Sequence, residues 1–218
     1  MKKLKSFLFK YKHSILILYL PVYLSWFIYL EERTNVEFTY IHCKVDDYIP
    51  FCEIFIIPYL LWFFYVAVSL LFLFFQTKHL DDFYRCAAIL LLGMTTSLII
   101  YTVFPNAQNM RPHTFERDNI FTQIISVLYA TDTDTNVCPS IHVFNSIAIN
   151  VAISDSWYFK DKRIIRLCST ILCVLICIST LVLKQHSFID AVCALLLYVI
   201  FYIIIYKPFK RKNKELSH

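Results

Sequence analysis

Six apolar stretches, at 14–30, 54–75, 86–104, 139–157, 164–183 and 187–206, constrain this chain more than any other feature of it. About twenty consecutive apolar residues wound as helix match the roughly 30 Å hydrocarbon thickness of a bilayer. In lipid every backbone N–H and C=O must be satisfied internally, which leaves helix as the solution for isolated spans of this length. The expected fold is therefore all-α: a single membrane domain over 1–218, with six transmembrane helices in one bundle. Composition agrees with lipid as the solvent, since 58% of residues are hydrophobic and 17% aromatic, with a mean hydropathy of +0.57.

The basic start MKKLKSFLFKYKH also fits a secretory signal, but no small-residue cleavage site follows and Glu31, Glu32 and Arg33 close the run. The first stretch is expected to stay as an anchor. Trp26, Tyr29, Trp157, Tyr158 and Tyr206 fall near span ends, where amphipathic rings favour the headgroup layer. With the N-terminus inside, sixteen Lys and Arg fall on the cytoplasmic side and only Arg33, Lys44, Arg111, Arg117 and Lys184 on the other. That asymmetry predicts cytoplasmic termini, in the plasma membrane, with 31–53, 105–138 and 184–186 facing outward. The net charge of +5 is then a topology signal with some attraction to anionic lipid, and gives no ground for a nucleic-acid partner.

Several chemistries are excluded. Cys86, Cys168, Cys173, Cys177 and Cys193 lie inside spans without zinc-ligand spacing. Cys43 and Cys52 share the first outer segment, and whether they bridge is left open by the sequence. Cys138 lacks the arginine six positions on that a thiol phosphatase loop requires, having Phe144 there. One glycine, Gly93, is too few for a phosphate cradle, a dinucleotide fingerprint or a GxxxG face. The stretch TDTDTN at 131–136 has neither the glycine nor the closing glutamate of a calcium loop.

The outer segments carry the polar residues that matter. From the start of the fourth stretch the chain crosses inward and then recrosses, so His142 and His186 are expected at one depth, on the side that also holds Arg111. In KQHSFIDAV, His186 and Asp190 are four apart, so the carboxylate can accept an imidazole N–H, fix the tautomer and leave the other nitrogen free to attack. A carboxylate one turn into lipid is costly, which itself marks a functional site. Pro139 suits a first helical turn, and the N–H groups of Ser140, Ile141 and His142 would then form an anion site at a positive dipole end. Arg111 offers a planar fork for phosphate oxygens.

These residues resemble the three signature segments of the type 2 phosphatidic acid phosphatase superfamily, which includes vanadium haloperoxidases and, more distantly, sphingolipid phosphotransferases. The first segment is similar to 104–112, where Arg111 and Pro112 match and Phe104 stands in place of a lysine. The second resembles Pro139, Ser140, Ile141 and His142, with isoleucine for glycine, and the third Ser179, Thr180, His186 and Asp190, with threonine for arginine. The signature region spans 104–190.

The resemblance implies a phosphohistidine mechanism without metal or other cofactor. By it His186 is the nucleophile, Asp190 its orienter and His142 the general acid, while Arg111, Ser140 and Ser179 belong to the phosphate-binding segments. Lys184, two residues before His186, is the expected partial substitute for the absent arginine. The implied activity is hydrolysis of a lipid phosphomonoester or pyrophosphate at the outer face. Headgroup transfer between lipids is an open alternative, because the family's phosphotransferases also depart from the full basic set. A non-catalytic binding or transport protein is the third, disfavoured because the spans hold few ionisable groups. The expected partners are the bilayer and a lipid phosphate substrate, with the oligomeric state unassigned.

Overall fold

After a 3₁₀ turn at Lys12–Leu18 the chain runs through α1 (Tyr19–Glu32), β1 (Thr39–Tyr40), α2 (Lys44–Tyr48), α3 (Ile56–Phe75), α4 (Leu80–Val103) and β2 (Asn106–Ala107). It continues through α5 (Ile120–Thr131), α6 (Ile141–Asp155), α7 (Arg163–Val182) and α8 (Phe188–Glu215). These elements come from a computed structural model that describes residues 12–215, with side chains described for 13–206. The basic residues of the first eleven positions, which entered the orientation count, lie outside the described residues.

Five helical stretches among the described residues are long and apolar enough to cross a bilayer: His13–Glu32, Glu53–Phe75, Leu80–Val103, Arg163–Val182 and Phe188–Tyr206. The fourth expected span is instead the 15-residue α6, about 22 Å long at 1.5 Å per residue. It packs against α3, α4, α7 and α8 and buries Val143, Phe144, Ala148 and Ile149 among them. A helix enclosed by protein has ends that meet protein, so it need not match the hydrocarbon thickness. The expected six spans thus correspond to five that satisfy the length requirement and one shorter, central helix.

The contact between α4 and α6 shows how tightly that centre is built. A Cβ on Gly93 would lie 2.0 Å from the Phe144 ring, which is 1% exposed, so glycine is there to let the ring approach. At one end of α6, the Asp82 carboxylate of α4 accepts from the Ser156 hydroxyl at 2.9 Å and the Trp157 N–H at 3.0 Å.

At the other end the long segment 105–138 is ordered rather than looped. β2 pairs parallel with β1, Ala107 bridges to Thr135, and α5 starts at an Asn119 capping box. Asn106, fully buried, donates to the carbonyls of Phe104 and Cys138 and accepts from the N–H groups of Val137 and Cys138 at 2.9 and 2.7 Å. One side chain thereby fixes the approach to α6 against the end of α4.

Candidate active site

Two chain reversals position the histidines. The first is the start of α6, where Ser140 is the N-cap and its Oγ accepts from the Val143 N–H at 3.4 Å. Pro139 lies outside the helix rather than in its first turn as expected. Its carbonyl accepts from the Tyr101 hydroxyl at 2.6 Å, and Ser140 provides the capping oxygen that proline lacks. The Ser140 N–H, expected to face an anion, donates to the Asp190 carbonyl at 3.2 Å instead. The next two N–H groups, of Ile141 and His142, remain at the positive end of the helix.

The second reversal joins α7 to α8. The Thr180 carbonyl accepts from both Gln185 N–H and His186 N–H at 3.0 Å, and Lys184 takes a left-handed φ of 53°. For a non-glycine residue that conformation costs about 1–2 kcal/mol. It is offset where the Lys184 ammonium donates to the carbonyls of Asp46 and Ile49 at 2.9 and 2.6 Å, around the end of α2. Ser187 then caps α8 in a reciprocal arrangement: its Oγ accepts from Ile189 N–H at 3.2 Å and its own N–H donates to Asp190 Oδ2 at 2.8 Å.

The two histidines meet. Their ring centroids are 5.6 Å apart, and both line one cavity of about 490 Å3. His186 is buried, and its Nδ1 lies 3.4 Å from Asp190 Oδ2. That is ion-pair distance without hydrogen-bond alignment, since His186 Nδ1 and Asp190 Oδ1 both lack a partner. His142 is half-buried against aromatic faces, with Tyr59 stacked at 4.8 Å and Trp62 at 4.3 Å between centroids. These rings pack against the imidazole at the cavity wall.

The expected phosphate ligands are distributed differently. Arg111 spends its fork on protein: its amino nitrogens donate to the carbonyls of Asp132 and Thr133 at 2.7 Å and to Gln185 Oε1 at 2.5 Å. Its guanidinium also sits 4.8 Å over the Tyr129 ring. The Lys184 ammonium points to the segment around α2, as above. Ser179 is fully buried, its hydroxyl donating to the Ile176 carbonyl of its own helix at 2.6 Å. Thr180, which stands where the resemblance would place an arginine, is buried too. Cys43 and Cys52 are free thiols.

Three participants were not anticipated. Gln185, 2% exposed, links Arg111 to the histidine beside it. Asp132 lines the cavity, and burial pushes its carboxyl above the ordinary range against the pull of Arg111 and His186. Asp46, 3% exposed, reaches from α2 to accept from Ser187 Oγ at 2.6 Å, Phe188 N–H at 2.7 Å and Cys43 N–H at 2.8 Å. Burial opposes its charge, but these donors outweigh it and hold the carboxyl below the usual carboxylate value. The only sequence signal for it was an acidic pair, Asp46 and Asp47, in a short polar segment.

Asp46→Ala leaves two buried donors at the start of α8 without acceptors, at about 1–3 kcal/mol each. The expected result is faster amide hydrogen exchange across 184–188 with the rest of the bundle protected as before. A native carboxyl value below the unfolded one stabilises above the unfolded range and is lost as pH falls through the native value. The protection conferred by Asp46 should therefore be constant above the ordinary carboxylate range and be lost as the pH falls below it.

A family model described as the PAP2 superfamily matches residues 86–214. That match runs from α4 to α8 and covers more than half of the chain. The chain belongs to the type 2 phosphatidic acid phosphatase superfamily. No curated protein and no solved structure matches it significantly. Membership brings a general chemistry, phosphoester hydrolysis or a related transfer, to a membrane protein that is helical throughout its spans.

Proposed function

We propose that this protein is an integral-membrane lipid phosphate phosphatase that works through a phosphohistidine, with its site at the outer face of the plasma membrane. The observation that carries this is the meeting of His142 and His186 in one cavity, 5.6 Å between centroids, with Asp190 behind His186. With Nδ1 turned to the carboxylate, His186 Nε2 is the attacking atom. It forms a P–N bond as the P–O bond to the lipid alcohol breaks, and His142 gives its proton to the departing oxygen. His142 then takes a proton from water, whose oxygen attacks phosphorus and releases phosphate and free His186. The N–H groups of Ile141 and His142 at the α6 N-terminus favour the bound anion. Leu20, Leu24 and Phe27 of α1 with Trp62 and Phe63 of α3 give the same cavity an apolar wall, as an amphipathic substrate requires.

One observation favours headgroup transfer as a second reading. Among the described residues no lysine or arginine lines the cavity, whereas the carboxyl groups of Glu31 and Asp132 do. A phosphodiester carries one negative charge and suits such a site better than a dianionic monoester.

The test is purified protein with chelator present, given phosphatidic acid or an isoprenyl pyrophosphate, and separately a phospholipid headgroup donor with a lipid alcohol acceptor. Release of inorganic phosphate supports the phosphatase. A new phospholipid with little free phosphate supports the transferase. No turnover in either arm overturns both.

A further inference from the structure

The Gln185 amide is held from one side only. Its Oε1 accepts from Arg111 at 2.5 Å, while its Nε2 is buried and has no partner. The assignment of the two ends follows from chemistry, since a guanidinium has only donors and must meet the oxygen. A buried donor without an acceptor costs about 1–3 kcal/mol and is rare in native proteins unless something else satisfies it. Gln185 lines the cavity that holds both histidines and is covalently next to His186. The three other bonds of Arg111, to the carbonyls of Tyr129, Asp132 and Thr133, keep the guanidinium still, so the amide it grips is still as well.

We infer that Gln185 is a substrate phosphate ligand, its Nε2 donating to a non-bridging phosphate oxygen, with Arg111 acting through it as a positioning residue. This rests on the phosphoryl-transfer site proposed above and specifies how that site binds its anion. A neutral amide takes the place of the basic side chains missing at Phe104 and Thr180, and Arg111 contributes its charge from behind rather than by contact. Such a ligand set selects for a singly charged phosphoester, because each neutral donor stabilises an oxygen without cancelling a second charge.

Gln185→Glu separates ligand from brace. The carboxylate keeps an acceptor for Arg111, so a purely structural role survives, but the donor is gone and a negative charge replaces it. The probe is orthovanadate, a pentacoordinate phosphate mimic, titrated by the rise in thermal midpoint it causes. The expected result is an unliganded midpoint close to wild type and vanadate affinity about 10- to 100-fold weaker, the range for a hydrogen bond to a charged group. If the variant does not fold, Gln185→Met, similar in size and without a donor, is expected to show the same loss. Equal vanadate affinity in wild type and a folded variant overturns the role of Gln185 alone. A wild type that neither binds vanadate nor turns over a lipid overturns the phosphoryl-transfer site itself.

Discussion

His186→Ala is expected to abolish turnover, by about 10⁴-fold or more, the order lost when a nucleophile that forms a covalent intermediate is removed. The histidine lies on a turn held by Thr180, by the Lys184 bonds to the carbonyls of Asp46 and Ile49 and by the Ser187 cap. None of these uses the imidazole, whose Nδ1 has no hydrogen-bond partner, so its loss should leave the fold in place. Two measurements check this: steady-state phosphate release, and acid-labile labelling of the protein by a ³²P-labelled lipid. Both should vanish together while the thermal midpoint of the variant stays close to that of the wild type. Turnover surviving in His186→Ala removes this side chain from the nucleophile's role.

His142→Gln should act differently, and its effect should depend on the leaving group. A general acid typically contributes about 10²–10⁴-fold when the departing oxygen is a poorly stabilised alkoxide, as with a lipid alcohol. An activated aryl phosphate leaves without a proton, so the variant should lose much less on that substrate in the step that forms the phosphoenzyme. Glutamine also keeps a flat side chain between Tyr59 and Trp62, which contact the imidazole at 4.8 and 4.3 Å. The measurement is burst-phase labelling with the two substrates side by side. An equal loss on both would assign His142 to binding rather than to proton transfer.

Much of this was legible in the chain. The apolar stretches announced a membrane bundle because lipid demands long, internally satisfied helices, and five of the six are long enough by themselves in the structure. The spacing of His186 and Asp190 announced their contact because residues four apart meet at a helix start. The apolar stretch at 139–157 was different: hydropathy cannot tell a lipid-facing helix from one enclosed by protein, and α6 is enclosed. The motif around Arg111 suits a phosphate fork and carries no sign that the carbonyls of Tyr129, Asp132 and Thr133 occupy it.

Sequence by itself determined the solvent and the helical class and named candidate residues for the chemistry, because hydropathy, local spacing and motif are properties of short stretches. Tertiary structure alone decided which groups remain free to meet a ligand. Hydrogen-bond partners such as Asp46 with Ser187, or Arg111 with Gln185, lie 141 and 74 positions apart. A side chain's availability depends on such distant partners, and packing is what selects them.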